Sequence, residues 1–295
     1  MNGVLVVDKP GGWTSHDAVA RVKRSLKADK VGHLGTLDPA ATGVLPLVIN
    51  RATKYARWLE CGKKSYDGVL TLGVETDTYD AEGKVTASYD ISSIKEPDII
   101  RAFGSFTGRI KQVPPMYSSV KRSGVPLYKL ARKGITIERP AKEVEIFSII
   151  VTDVSLPRVS FSVECSRGTY IRSLCMDIGR VLGRGAHLSR LKRTRSGAFS
   201  LEGAPGPEED AGGLKGKIIP LGEALKKASA EFKTITLDDE TAEKVKYAKR
   251  LTLEQIDFSP LISEKQMVTF INRGIVIALG EPLEKGVFHI KRVLA

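Results

Sequence analysis

Strict alternation of side chains constrains this chain more than any other feature. Tyr66, Gly68, Leu70, Leu72 and Val74 alternate with Asp67, Val69, Thr71 and Gly73, and Val159, Phe161, Val163 and Cys165 alternate with Ser160, Ser162 and Glu164. A period of two sends successive side chains to opposite faces, so both stretches predict half-buried strands. Soon after the second, Ile171, Leu174, Cys175, Ile178, Val181 and Leu182 fall at helical spacing, an amphipathic helix stopped at Gly183. Strands and helices mix without a regular βα repeat, which predicts an α+β fold around a largely antiparallel sheet.

Weaker signals fill in the rest. Gly3 to Asp8 reads as a buried strand broken by Lys9-Pro10-Gly11-Gly12. Thr14-Ser15-His16-Asp17 has capping-box spacing, and Val19, Val22 and Leu26 continue a helix from it. Gly32 to Gly43 reads as a loop and Val44 to Ile49 as a strand. Helices are expected at Pro97 to Phe106 and at Tyr128 to Arg132. Gly203 to Gly216, rich in Gly, Pro and acids, predicts an exposed linker before a short helix at Ile218 to Lys227. From Glu231 the chain reads as a small module with strands at Met267 to Asn272, Ile275 to Leu279 and Gly286 to Arg292.

With 295 residues, 42% of them hydrophobic, the chain can bury a full core, which excludes a disordered protein or a stapled mini-protein. No apolar run approaches the ~20 residues of a membrane span, and the N-terminal residues lack the pattern of a secretory signal. Three cysteines without a CxxC argue against a disulfide framework or a Cys-rich zinc site and favour a reducing cytoplasm. The four histidines show no metal-ligand spacing, and no phosphate-loop or GxGxxG signature is present.

The net charge of +12 points toward a polyanion. Lys111 to Thr136 holds Lys111, Lys121, Arg122, Lys129, Arg132 and Lys133 and no acid. Ile178 to Leu201 holds Arg180, Arg184, Arg190, Lys192, Arg193 and Arg195, again without an acid. Tyr117, Tyr128 and His187 lie among these cations. Cations neutralise phosphates and aromatic faces stack on unpaired bases, although solvated helix faces and edge strands carry similar runs.

Gly32 to Pro46 is the most informative segment, and Asp38 is its only acid. Glycines allow close approach of a ligand, Pro39 stiffens the turn, and Leu37, Val44 and Leu45 can exclude water. A lone carboxylate there is a nucleophile, a base, or a turn cap before proline. No second acid lies nearby in the sequence, so no carboxylate pair of the glycosidase kind is suggested locally.

These residues, with others in order, resemble the bacterial tRNA pseudouridine-55 synthases, the TruB family. Gly32 to Pro46 is similar to the family's catalytic loop, with its aspartate at Asp38. Asp8-Lys9-Pro10 with Gly12, Thr14 and Ser15 resembles its N-terminal motif, and Lys64-Ser65-Tyr66 the segment with its active-site tyrosine. Val113 to Ser118 and Leu127 to Arg132 resemble an RNA-gripping insertion. Ser166 to Leu174 resembles a third motif, and His187 to Gly197 the strand that follows, with Leu191 at an apolar active-site position.

The resemblance implies a catalytic domain over 1–230, with a basic insertion at about 109–140, and a short PUA-like module over 231–295. It implies isomerisation of uridine 55 in the tRNA T-loop by base flipping, without cofactor, metal, guide RNA or obligate protein partner, in a cytoplasmic monomer. Asp38 is then the nucleophile, attacking either C6 of the base or C1′ of the ribose. Arg172 pairs with it, Tyr66 stacks on the uracil and aids loss of the C5 proton, and Tyr170 and Leu191 wall the base. His33 takes the place the flipped nucleotide leaves. Lys9 and Lys54 are phosphate contacts, as are Lys121, Arg122, Lys129 and Arg132 of the insertion. The competing readings are a guide-RNA-dependent synthase and a non-catalytic tRNA-binding or folding chaperone.

Overall fold

The chain is described by a computed structural model covering residues 1–247, 250–252, 267–284 and 287–294. Strand β1 (Gly3–Lys9) leads into α1 (Ser15–Leu26), then β2 (Val31–His33) and β3 (Thr42–Ile49). At the start of α1 the Thr14 hydroxyl accepts the Asp17 N–H at 3.1 Å, and Asp17 accepts the Thr14 N–H at 2.8 Å. This is the capping box expected from the sequence. A 3₁₀ turn at Asn50–Tyr55 and α2 (Ala56–Leu59) precede β4 (Lys64–Leu72). The hairpin of β5 (Val74–Thr76) and β6 (Val85–Ser88) stands off the main sheet. Helix α3 (Glu96–Gly104) and β7 (Gly108–Gln112) come before the insertion, which holds β8 (Lys121–Arg122), β9 (Val125–Pro126) and α4 (Leu127–Ala131).

The long hairpin β10 (Lys142–Ser155) and β11 (Arg158–Cys165) feeds α5 (Ile171–Val181), β12 (Ala186–Ser196) and β13 (Phe199–Ser200). Then come α6 (Ala211–Gly216), β14 (Ile219–Pro220) and α7 (Leu221–Ala228). The main sheet runs β14-β1-β3-β12-β4-β11-β10-β7, with β2 on β3 and β13 on β12. Its pairs are antiparallel except β3 with β12. The fold is therefore α+β around a mixed, largely antiparallel sheet. Alternation sets the faces: Tyr66, Leu70 and Leu72 of β4 and Val159, Phe161 and Val163 of β11 are buried beneath Leu174, Cys175 and Ile178 of α5.

A second sheet, β15-β17-β18-β19-β16, comprises β15 (Lys233–Thr236), β16 (Arg250–Thr252), β17 (Val268–Asn272), β18 (Ile275–Glu284) and β19 (Val287–Val293), with α8 (Asp239–Tyr247) packed against it. Val276 and Leu279 bury themselves against Trp58, Ala224, Leu225 and Ala228. The Tyr55 hydroxyl donates to the Val293 carbonyl at 3.1 Å, and Glu281 sits between Arg57 at 2.7 Å and Lys291 at 3.3 Å.

Several local expectations need correction. Within the segment read as an exposed linker, Asp210 caps α6 by accepting the Gly213 N–H at 2.8 Å, and Leu214 is fully buried. Its one large apolar side chain, Leu214, leaves no period to read. The helix expected from Ile218 begins at Leu221, because Ile219 and Pro220 pair with Val4 and Gly3. The start of the Gly32 to Gly43 loop is strand, held by pairing of β2 with β3. Gly286, expected to open a strand, lies outside the described residues.

Candidate active site

Asp38 projects from the loop between β2 and β3, and the backbone around it is pinned from three sides. Lys9 is fully buried, and its ammonium donates to the carbonyls of Pro10 at 2.9 Å, Trp13 at 2.6 Å and Pro39 at 3.1 Å. The Ser15 hydroxyl donates to Leu37 O at 3.1 Å and accepts the Leu37 N–H at 2.9 Å. Arg193, 1% exposed, donates to Val44 O at 2.8 Å, Gly35 O at 3.0 Å and Thr36 O at 3.5 Å. Gly43 is needed where β3 passes β12, since a Cβ there would lie 2.2 Å from Arg193 O.

Two sequence expectations fail here. Lys9 is not a phosphate contact, because its three donors are used inside the protein, and burial draws its pKa down to about 8. Arg193 does not belong with the solvent-facing charges of its run, because it is buried and braces the loop that carries Asp38. His187 is also buried, with Nδ1 2.9 Å from Val74 O.

Arg172, near the start of α5, reaches Asp38 with both ends of its fork: Nε to Oδ2 at 2.9 Å and Nη2 to Oδ1 at 3.1 Å. It also donates to Tyr117 O at 2.8 Å and Thr78 O at 3.2 Å, and Nη1 stands 3.4 Å from Asp80. The start of α5 is itself held by Gln112, which accepts the Tyr170 N–H at 2.7 Å and donates to Tyr170 O at 3.0 Å. Surrounding protein pushes the Asp38 carboxyl above its ordinary range, and Arg172 pulls it back. The 39% of the side chain left exposed faces the cleft, the side a substrate base would cover.

Asp80 is the acid that local reading missed: the fold, not the sequence spacing, brings it to Arg172. Thr78 Oγ1 donates to Asp80 Oδ1 at 2.5 Å and Thr76 Oγ1 to Asp80 O at 2.7 Å. Ala81 and Leu188 tie this loop to β12 through bonds of 3.0 Å.

The cleft of about 1040 Å³ is lined by Asp38, Arg172, Tyr66, Tyr170, Leu191 and His33, so the structure brings these six together. On the sheet, Tyr66 pairs with Arg193 and Gly68 with Leu191, which places ring and leucine side by side on one face. Burial pushes the Tyr66 phenol up to about 12. Burial lowers the His33 pKa, and its Nδ1 is enclosed without a partner among the described residues. The insertion contributes Tyr117, Tyr128 and Arg132 to the cleft wall, with the Arg132 guanidinium 5.5 Å from the Tyr128 ring centre. Lys121, Arg122 and Lys129 are exposed on the insertion away from the wall, and Lys54 is exposed on the 3₁₀ turn. No cluster of metal-ligating side chains occurs among the described residues, and none of their helices is long and apolar enough to cross a membrane.

Residues 23–171 match the model of the TruB family pseudouridylate synthase N-terminal domain, and residues 172–205 that of the tRNA pseudouridylate synthase B C-terminal domain. The chain is 41% identical to tRNA pseudouridine synthase B of Geobacter sulfurreducens, over 96% of this chain and 94% of that protein. It is 43% identical to that of Clostridium tetani, over 93% and 95%. Among solved structures, a Cbf5-Nop10-Gar1 complex contains a chain of 26% identity with a TM-score of 0.75, over 99% of this chain and 84% of that one. By sequence, fold and the ordered motifs around Asp38, the chain belongs to the TruB family of pseudouridylate synthases.

Proposed function

We propose that this protein converts uridine 55 in the T-loop of tRNA to pseudouridine. The observation that carries the reading is the carboxylate of Asp38, held by both ends of the Arg172 fork at the floor of a cleft that also holds Tyr66 and Leu191. The reaction breaks the N1–C1′ bond, turns the base and joins C5 to C1′, with the C5 proton passing to N1 overall. It is an isomerisation in which no electrons or outside groups enter, so its chemistry calls for no cofactor or metal. Asp38 supplies the nucleophile, at C6 or at C1′, and Arg172 keeps it ionised and aimed before substrate arrives. Tyr66 stacks on the base, which must leave its helix stack to reach Asp38.

The insertion supports action without a guide RNA, because it places Tyr117, Tyr128 and Arg132 on the cleft wall and keeps Lys121, Arg122 and Lys129 exposed elsewhere on its surface. The relatives named tRNA pseudouridine synthase B, matched along nearly their whole length, support the same choice. In this reading residues 1–230 form the catalytic domain, 231–295 a PUA-like module adding RNA contact, and the enzyme works as a cytoplasmic monomer. Incubation of purified protein with unmodified tRNA, followed by mapping of pseudouridine, tests it. Conversion confined to position 55 is expected. Absence of conversion without added guide RNA or proteins would favour the guide-dependent alternative or a non-catalytic chaperone.

A further inference from the structure

One buried cation in the cleft has no role in the chemistry above. Lys64 opens β4 and shares a face of that strand with Tyr66, two residues on. Its side chain is 11% exposed and lines the cleft. The nearest carboxylate oxygen, Glu60 Oε1, is 3.7 Å away on a side chain that is 40% exposed. Among the described residues no acceptor comes within hydrogen-bond distance of its ammonium.

A second cation shares the place. Around the point a Cβ on Gly35 would occupy stand Lys64 Nζ at 2.5 Å, Glu60 Oε1 at 3.1 Å and Arg193 Nη1 at 3.5 Å, two cations to one carboxylate. Arg193 spends its donors on three carbonyls, and Lys9 does the same on the other side of the loop. Lys64 alone of the three holds no backbone, so bracing the loop does not explain it. Burial, then Arg193, draws its pKa down, and Glu60 opposes them. One half-exposed carboxylate beyond hydrogen-bond reach leaves the two desolvated cations short of negative charge, a cost that a second anion would offset.

We propose that Lys64 is a substrate-binding residue that receives a phosphodiester of the RNA strand next to the flipped nucleotide. This rests on the RNA-modifying reading above. The phosphate accepts the ammonium donors that Glu60 does not reach, supplies the negative charge that Glu60 alone does not, and fixes the strand against the loop at Gly35.

The test uses T-loop hairpins in which each phosphate flanking the target uridine is replaced singly by an uncharged methylphosphonate. With wild-type protein, one position is expected to weaken binding by about tenfold, as for loss of one charge-assisted hydrogen bond. Lys64→Gln should weaken binding of the all-phosphate hairpin by a similar factor and make that position silent, leaving penalties elsewhere intact. Lys64→Arg should restore the penalty. The Gln variant should melt close to wild type, because loss of the long contact to half-exposed Glu60 and relief of the charge beside Arg193 oppose each other. A scan identical in wild type and Lys64→Gln overturns the proposal, and a lowered melting temperature with that unchanged scan makes Lys64 structural. Wild-type protein that neither binds nor converts the all-phosphate hairpin would instead overturn the RNA reading on which the proposal rests.

Discussion

Arg172 Nε and Nη2 each meet a different oxygen of Asp38, at 2.9 and 3.1 Å, across 134 positions of sequence. The remaining guanidinium donors are held by Tyr117 O, Thr78 O and Asp80. The carboxylate is thus aimed by a fork that is itself fixed, so little reorganisation remains when a base arrives.

The pair makes a statement about pH. Folding raises the Asp38 pKa, so its ionised form is lost as pH falls through a value above the ordinary carboxylate range. The acid limb of single-turnover rate should lie above that range. Arg172→Met removes the partner that lowers the pKa, so the limb should move to still higher pH while the plateau rate falls by about 10²-fold or more. Rate profiles of both proteins, with tRNA binding measured alongside, check this. An unmoved limb in Arg172→Met would mean the pair does not set the ionisation of Asp38.

Arg193 should act through the loop it braces. Arg193→Lys keeps the charge but cannot serve Val44, Gly35 and Thr36 together, because one ammonium lacks the planar fork. A displacement of Asp38 on the order of 1 Å should lower kcat by roughly 10²-fold with little change in KM. Arg193→Met should also lower the melting temperature, since three carbonyls lose their donor in a buried site. Steady-state kinetics and thermal melts would show it, and a Lys variant of normal kcat would remove Arg193 from the positioning of Asp38.

Tyr66 is assigned two jobs that substitutions separate. With its phenol at about 12, the hydroxyl is protonated at neutral pH and is a weak base unless Arg193 or a water assists. Tyr66→Phe keeps the stacking ring and should bind tRNA normally while losing most turnover. Tyr66→Ala should also weaken capture of the base, by ~1–3 kcal/mol. Single-turnover rates and equilibrium binding distinguish them. A Phe variant as fast as wild type would confine Tyr66 to stacking.

The exposed cations of the insertion should grip phosphates without reading bases. Replacing Lys121, Arg122, Lys129, Arg132 and Lys133 together by Ala should flatten the dependence of log affinity on log salt, by roughly one unit of slope per lost contact. A titration of tRNA binding across salt concentrations measures it, and an unchanged slope would show that these charges are only solvated.

Legibility in the sequence followed the physics of each signal. β4, β11 and α5 were readable because burial on one face imposes a period. The capping box at Thr14 was readable because both partners lie within four residues. Asp38 stood out as the lone acid of a glycine-rich loop, and the family motifs pointed to Tyr66, Arg172, Tyr170, Leu191 and His33. Lys9 and Arg193 were misread because a buried cation and a solvated one look alike in sequence; only the carbonyls around them tell the difference. Asp80 was missed because its partnership with Arg172 joins the β5–β6 loop to helix α5, far apart in the sequence. α6 was missed because its burial rests on Leu214 alone.

Asp38→Asn tests the assignment most directly. The exchange keeps the shape of the side chain and removes the nucleophilic carboxylate, so tRNA should bind with near wild-type affinity. Single-turnover conversion of uridine 55, followed by pseudouridine mapping, should fall by several orders of magnitude, to background. Conversion by Asp38→Asn at a rate close to wild type would contradict the central role given to this carboxylate.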